Sequence, residues 1–211
     1  MISIQIVSNY CAERLGTKVL NTKYPTKEDQ IETLEYGFMF ILGAVVKGIL
    51  LVALAALLGV MMPAIILTLT FSSLRVIAGG YHLKTFGKCM IFSISQFIIS
   101  ALIAQHTYQY WSKMNLWGLF SFCLVIGLYI IIRYVPRDTP TNPITEEAEI
   151  KKFKRWSFIY LFIWSALITT FLFLDLKLIV ISSCFGLILE LFSTSEVGYK
   201  IYDFGERMGS N

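Results

Sequence analysis

The sequence predicts an all-α polytopic membrane protein with about six hydrophobic helices, and three observations carry that prediction. Mean hydropathy is +0.66, only 15% of the 211 residues are charged, and long uncharged runs alternate with short basic stretches. An ordinary soluble domain carries about 25% charged residues. One domain spanning residues 1–211 accounts for the chain, which shows no internal repeat or low-complexity tract. The net charge of +4 does not point to nucleic acid, because the basic residues are scattered between apolar runs and form no single stripe.

Residues 1–35 lack a basic n-region followed by an apolar stretch and a small-residue cleavage site, so they do not read as a cleaved signal peptide. Ile4, Val7, Cys11 and Leu15 recur at helical spacing around Glu13 and Arg14, which predicts an amphipathic N-terminal helix lying on the lipid surface. Thr26 and Asp29 resemble a capping box that starts the helix leading into the first span.

A bilayer core of roughly 30 Å needs about 20 apolar residues as a helix. Residues 36–74 contain a single charge, Lys47, and are broken near Gly59 and Pro63, giving spans at about 36–58 and 61–74. Residues 90–112, 114–132 and 156–174 carry no Asp, Glu, Lys or Arg, and a sixth span at 177–194 carries only Lys177 and Glu190. Sorting Lys and Arg by loop puts 15 of the 18 on one side: those before the first span, Arg75, Lys84 and Lys88, the six from Arg133 to Arg155, and Lys200 and Arg207. Only Lys113 and Lys177 fall on the other side. The positive-inside rule then makes both termini and the loop after Arg75 cytoplasmic.

The loop over residues 133–156, "RYVPRDTPTNPITEEAEIKKFKRW", holds Pro136, Pro140 and Pro143, which disfavour helix until Thr145 can cap a polar helix over Glu146 to Arg155. Its basic cluster, Lys151, Lys152, Lys154 and Arg155, orients the chain and is a candidate to attract an acidic partner segment through exposed electrostatics. The four cysteines, Cys11, Cys89, Cys123 and Cys184, show no metal or redox spacing. Zinc wants three or four ligands, and the two histidines, His82 and His106, lie towards opposite faces. Neither a metal nor another cofactor is expected.

The remaining chemistry is concentrated in residues 75–89, "RVIAGGYHLKTFGKC". A helix through His82 and Cys89 would hold them about two turns, roughly 10 Å, apart, so a direct hydrogen bond requires a bend. Gly79, Gly80 and Gly87 offer that freedom. A thiolate is the reactive form of cysteine, and Arg75, Lys84 and Lys88 would favour it. By spacing alone, a nucleophile with its base and an inert loop both remain open.

The string as a whole resembles the AgrB family of bacterial membrane endopeptidases of quorum sensing: Arg75, the glycine pair at 79 and 80, His82 two residues on, and Cys89 seven further. The stretch "VPRDTPTNPI", Val135 to Ile144, is similar to the proline-bounded Asp-Thr loop of that family. The resemblance implies Cys89 as nucleophile and His82 as general base, with Arg75 and Gly80 as motif residues. Asp138 is a candidate to orient His82. It further implies a homodimer and an AgrD-like propeptide substrate, which loses its C-terminal tail and is closed into a thiolactone or lactone through an acyl-cysteine intermediate. The alternative is a small membrane transporter or peptide exporter, in which Lys47 and Glu190 would be the intramembrane ionisable groups of interest. The bland readings of that pair are a Lys47 buried against another span and a Glu190 snorkelling at a helix end.

Overall fold

The computed structural model describes residues 27–81, 86–137 and 146–208. The expected amphipathic N-terminal helix and the capping residues Thr26 and Thr145 lie outside them. Among the described residues there are seven α-helices and no strand: α1 Lys27–Leu57, α2 Met61–Ala78, α3 Phe86–Thr107, α4 Lys113–Tyr134, α5 Glu147–Phe173, α6 Lys177–Thr194 and α7 Glu196–Met208.

Five of these, α2 to α6, are long and apolar enough to cross a membrane, whereas the apolar part of α1, Ile41–Leu57, is shorter. The break expected near Gly59 and Pro63 is a tight turn: Gly59 takes φ +69°, and Pro63 sits in the first turn of α2, where its missing N–H leaves no gap. Ser112 caps α4, its hydroxyl accepting from Asn115 N–H at 3.2 Å. Two boundaries differ from expectation. The polar stretch before Trp156 and the apolar span after it form one helix, α5, because no Gly or Pro separates them; Glu146 takes its N-cap position without a side-chain cap bond. Beyond the sixth span, Ser195 opens α7, its hydroxyl accepting from Gly198 N–H at 3.0 Å.

Successive spans reverse direction, so α2 runs parallel to α6, with Thr70 beside Ser183 and Arg75 beside Glu190. In its apolar stretch 61% of residues are buried, against 22–33% for the other four spans, so α6 is the central helix and the rest face lipid on one side. Small residues make this possible. A Cβ on Gly186 would strike the backbone carbonyl of Leu67, so α2 and α6 touch backbone to backbone. Ser183 receives the indole N–H of Trp164 at 2.8 Å and lies 3.0 Å from the Thr70 hydroxyl. The Tyr160 hydroxyl donates to the Thr70 carbonyl at 3.0 Å. In lipid no hydrophobic force draws helices together, so close packing and such interhelical bonds, about 0.6 kcal/mol each, hold the bundle. Exposed side chains such as Leu57, Val76, Ile91 and Phe162 would be an aggregation hazard in water; against acyl chains they are solvated.

Candidate functional site

One end of the bundle gathers the α2–α3 loop, the α4–α5 loop and α7. Arg75 lies in the last turn of α2. The helix stops at Gly79, whose φ of +76° and ψ of −155° fall in a region open essentially to glycine alone. Gly80, at φ +139°, continues the turn. Gly79 pairs with Arg137 in a single parallel bridge: Arg137 N–H donates to the Ala78 carbonyl at 2.8 Å, and Gly80 N–H to the Arg137 carbonyl at 3.2 Å. The two stretches that stood apart in sequence are thus joined. A Cβ on Gly79 would drive into the Arg137 carbonyl, and one on Gly80 into the Arg75 guanidinium and Ser193.

Beneath this turn lies a buried ion pair. Glu190 of α6 has a wholly buried side chain, and its Oε2 sits 3.5 Å from Arg75 Nη1. The Ser193 hydroxyl lies between them, accepting from Arg75 Nη1 at 2.6 Å and 3.1 Å from Glu190 Oε2. Thr194 Oγ1 is 3.3 Å from the other carboxylate oxygen. Arg75 Nη2 donates to the Tyr81 carbonyl, and Tyr81 N–H donates to the Ser193 carbonyl at 3.1 Å. The expectation that Glu190 snorkels at a helix end is therefore corrected: it is held inside, because Arg75, Ser193 and Thr194 satisfy its oxygens there. Breaking one partner of such a pair costs about 3–5 kcal/mol. This also takes from the transporter alternative one of its two residues, since a carboxylate locked to an arginine is a poor shuttle.

Cys89 stands in the first turn of α3, half-buried with a free thiol. Lys47, Arg75 and Tyr202 all lie within electrostatic reach of that corner. The Lys47 ammonium sits 6.0 Å from the Phe97 ring centre, so Lys47 is half-buried against another span as expected. Gly87 sits within helical α3 with open space around it; the break after α2 is made by Gly79 and Gly80, and the bend expected between His82 and Cys89 falls on residues outside the described ones. His82 and Asp138 lie outside the described residues. His106 closes α3 at the opposite end, and among the described residues no three His, Cys, Asp or Glu side chains come together as metal ligands would.

Aromatic rings of α7 cover the turn. Tyr81 stacks on Tyr202, ring centres 5.4 Å apart, and meets Tyr199 edge-on at 4.9 Å. The Arg137 guanidinium lies 4.1 Å from the Tyr199 ring centre. Burial pushes the Tyr202 phenol above its usual range, so it stays protonated, with Gln96 Nε2 donating to it at 3.4 Å. Sequence reasoning missed α7 and the Glu190 partnership; the signal for the latter was a lone carboxylate inside an apolar span.

The basic cluster divides. Lys151, Lys152 and Arg155 line a shallow groove of about 450 Å³ with Trp156 and Ile159, Lys151 also pairing with Glu147 at 3.3 Å. Lys154 instead turns to the Ile132 carbonyl at 2.5 Å, where a cation suits the C-terminal end of α4.

Residues 8–194 match the family described as AgrB, accessory gene regulator B. Among curated relatives, the provisionally named AgrB-like protein 2 of Clostridium perfringens (strain 13 / Type A) is 26% identical over 167 residues, 76% of this chain and 75% of its own. An AgrB-like protein of Listeria innocua, also provisionally named, is 27% identical over 206 residues, 92% of this chain and 94% of its own. No solved structure matches the chain.

Proposed function

Because the chain belongs to the AgrB family, a multi-pass membrane family of the agr quorum-sensing system, we propose that it is a cysteine endopeptidase that cuts the C-terminal tail from an AgrD-like propeptide and closes the remainder into a ring. The observation that supports this best is the turn at Gly79 and Gly80. It ends α2 at Ala78, just before the His82 stretch, and ties the start of that stretch to the proline-bounded loop through Arg137.

In this reading the Cys89 thiolate attacks the scissile carbonyl, and His82, protonated on receiving the thiol proton, returns it to the leaving amine. The C–N bond breaks, the tail departs, and an acyl-thioester remains on Cys89. Backbone N–H groups near Gly87 to Cys89 are suitable donors for the oxyanion. The propeptide's own thiol then attacks the thioester, His82 takes its proton, and Cys89 leaves as the free thiolate; a serine there gives a lactone. Water must be excluded during the acyl stage, and a half-buried cysteine beside lipid and the α7 rings suits that need. The active site faces the cytoplasm, as the distribution of basic residues implies.

The decisive experiment uses a propeptide whose ring-forming thiol is replaced by alanine. It should be cut once and then trap the enzyme as a covalent adduct of the propeptide lacking its tail, located by mass on the Cys89 peptide and released by hydroxylamine. Repeated turnover to a linear acid with no adduct would refute the cyclising step.

A further inference from the structure

Among the side chains whose burial is described, Glu190 is the one acidic group that is fully buried, and the proposed chemistry gives it nothing to do. Its connections lead to the loop. Glu190 faces Arg75 at 3.5 Å; Arg75 grips the Tyr81 carbonyl; Ser193, bridging acid and base, offers its own carbonyl to Tyr81 N–H at 3.1 Å. Both polar groups of the Tyr81 backbone are thus fixed by one cluster. Tyr81 is the residue before His82 in the chain. Thr194 adds a strap from the same carboxylate, its hydroxyl also 3.5 Å from the Gly79 carbonyl.

We propose that Glu190 is a positioning residue for the reaction: acting through Arg75 and Ser193, it fixes the backbone that delivers His82 to Cys89. The inference rests on the reading of His82 and Cys89 as the reacting pair. A carboxylate is required at this depth because a guanidinium drawn from water needs a fixed counter-charge to hold one orientation. A lone serine or carbonyl would leave Arg75 several ways to point, and the Tyr81 carbonyl would lose its partner with it.

A pair serving only the fold would be replaceable by a neutral pair, so the informative variant is R75Q/E190Q, which leaves no orphan charge in the bundle. We expect it to insert and to melt in detergent close to the parent, while kcat for tail release falls at least tenfold and KM stays within twofold. E190Q alone should lose kcat similarly, and E190D, which keeps the charge, should recover part of it. A second readout needs no propeptide: the rate at which iodoacetamide alkylates Cys89, read on the Cys89 peptide by mass, should fall at least fivefold in R75Q/E190Q, as it should in His82→Ala.

Parental kcat and alkylation rate in the double variant would overturn the proposal. A neutral pair that fails to insert would overturn it as well, since the pair would then serve the fold. The underlying reading fails separately, if His82→Ala and Cys89→Ala still release the tail.

Discussion

Gly79→Ala isolates the turn that carries the loop. Alanine has two ways to be accommodated. Keeping the native φ of +76° and ψ of −155° costs a non-glycine residue about 1–3 kcal/mol and still leaves the new Cβ driven into the Arg137 carbonyl. Alternatively the bridge to Arg137 opens, because the new Cβ points into the Arg137 carbonyl. Opening forfeits the Arg137 N–H to Ala78 bond at 2.8 Å and the Gly80 N–H to Arg137 bond at 3.2 Å, together about 1–3 kcal/mol. The chain takes the cheaper route, so the docked loop is weakened by about 1–3 kcal/mol, a factor of about 5 to 150 in its population. Hydrogen exchange in nanodiscs reads that directly: protection of the Gly80, Tyr81 and Arg137 amides should fall by this factor, with α4 and α6 mid-span amides unchanged. Tail release should fall in parallel. Gly87→Ala, placed in open space in a helix, should instead gain of order 0.5 kcal/mol and keep full activity. Unchanged exchange in Gly79→Ala, or equal damage from Gly87→Ala, would refute the reasoning.

Other outcomes follow from the same geometry. Cys89→Ala and His82→Ala should each abolish tail release with insertion intact, whereas Cys11→Ala, Cys123→Ala and Cys184→Ala should retain it; normal cleavage by either of the first two removes the proposed pair. Neutralising Lys151, Lys152 and Arg155, which share the groove, should raise KM and flatten its dependence on salt, since exposed charges act through a screened field with a range of about 8–10 Å. Adding Lys154→Gln should change KM little further, as that ammonium is engaged at Ile132. A membrane-impermeant maleimide applied outside intact cells should leave Cys89 unlabelled; rapid labelling would reverse the topology.

The spans were legible because lipid imposes a length and forbids charge, and uncharged runs of that length appear in the sequence as such. Paired glycines made a break after α2 legible, and Gly79 occupies a conformation nothing else would take; the bend expected between His82 and Cys89 falls on residues outside the described ones. Glu190 was misjudged because its partner Arg75 lies 115 residues away; local pattern gives depth in a span but not the neighbour across it. The α7 helix escaped notice because its apolar residues, Val197, Ile201, Tyr202 and Phe204, are few and set among charges, so the segment reads as a solvated tail until Tyr81 is seen beneath it. The continuity of α5 was hidden by a change of composition that changes nothing in the backbone.

The central placement of α6 bears on how such a chain can diverge. Lipid is as apolar as leucine and has no shape to match, so exchanges among Leu, Ile, Val and Phe on the outer helices are close to silent, and relatives can drift there with little consequence. On α6 the freedom is gone: Ser182, Ser183, Cys184 and Gly186 are buried among neighbouring helices, and even one added methyl at Gly186 meets the backbone of α2. Relatives only about a quarter identical can therefore share this architecture provided the shared quarter falls where helices touch. A mutational scan of the outward faces would look permissive, while the same scan along α6 would read as a list of prohibitions.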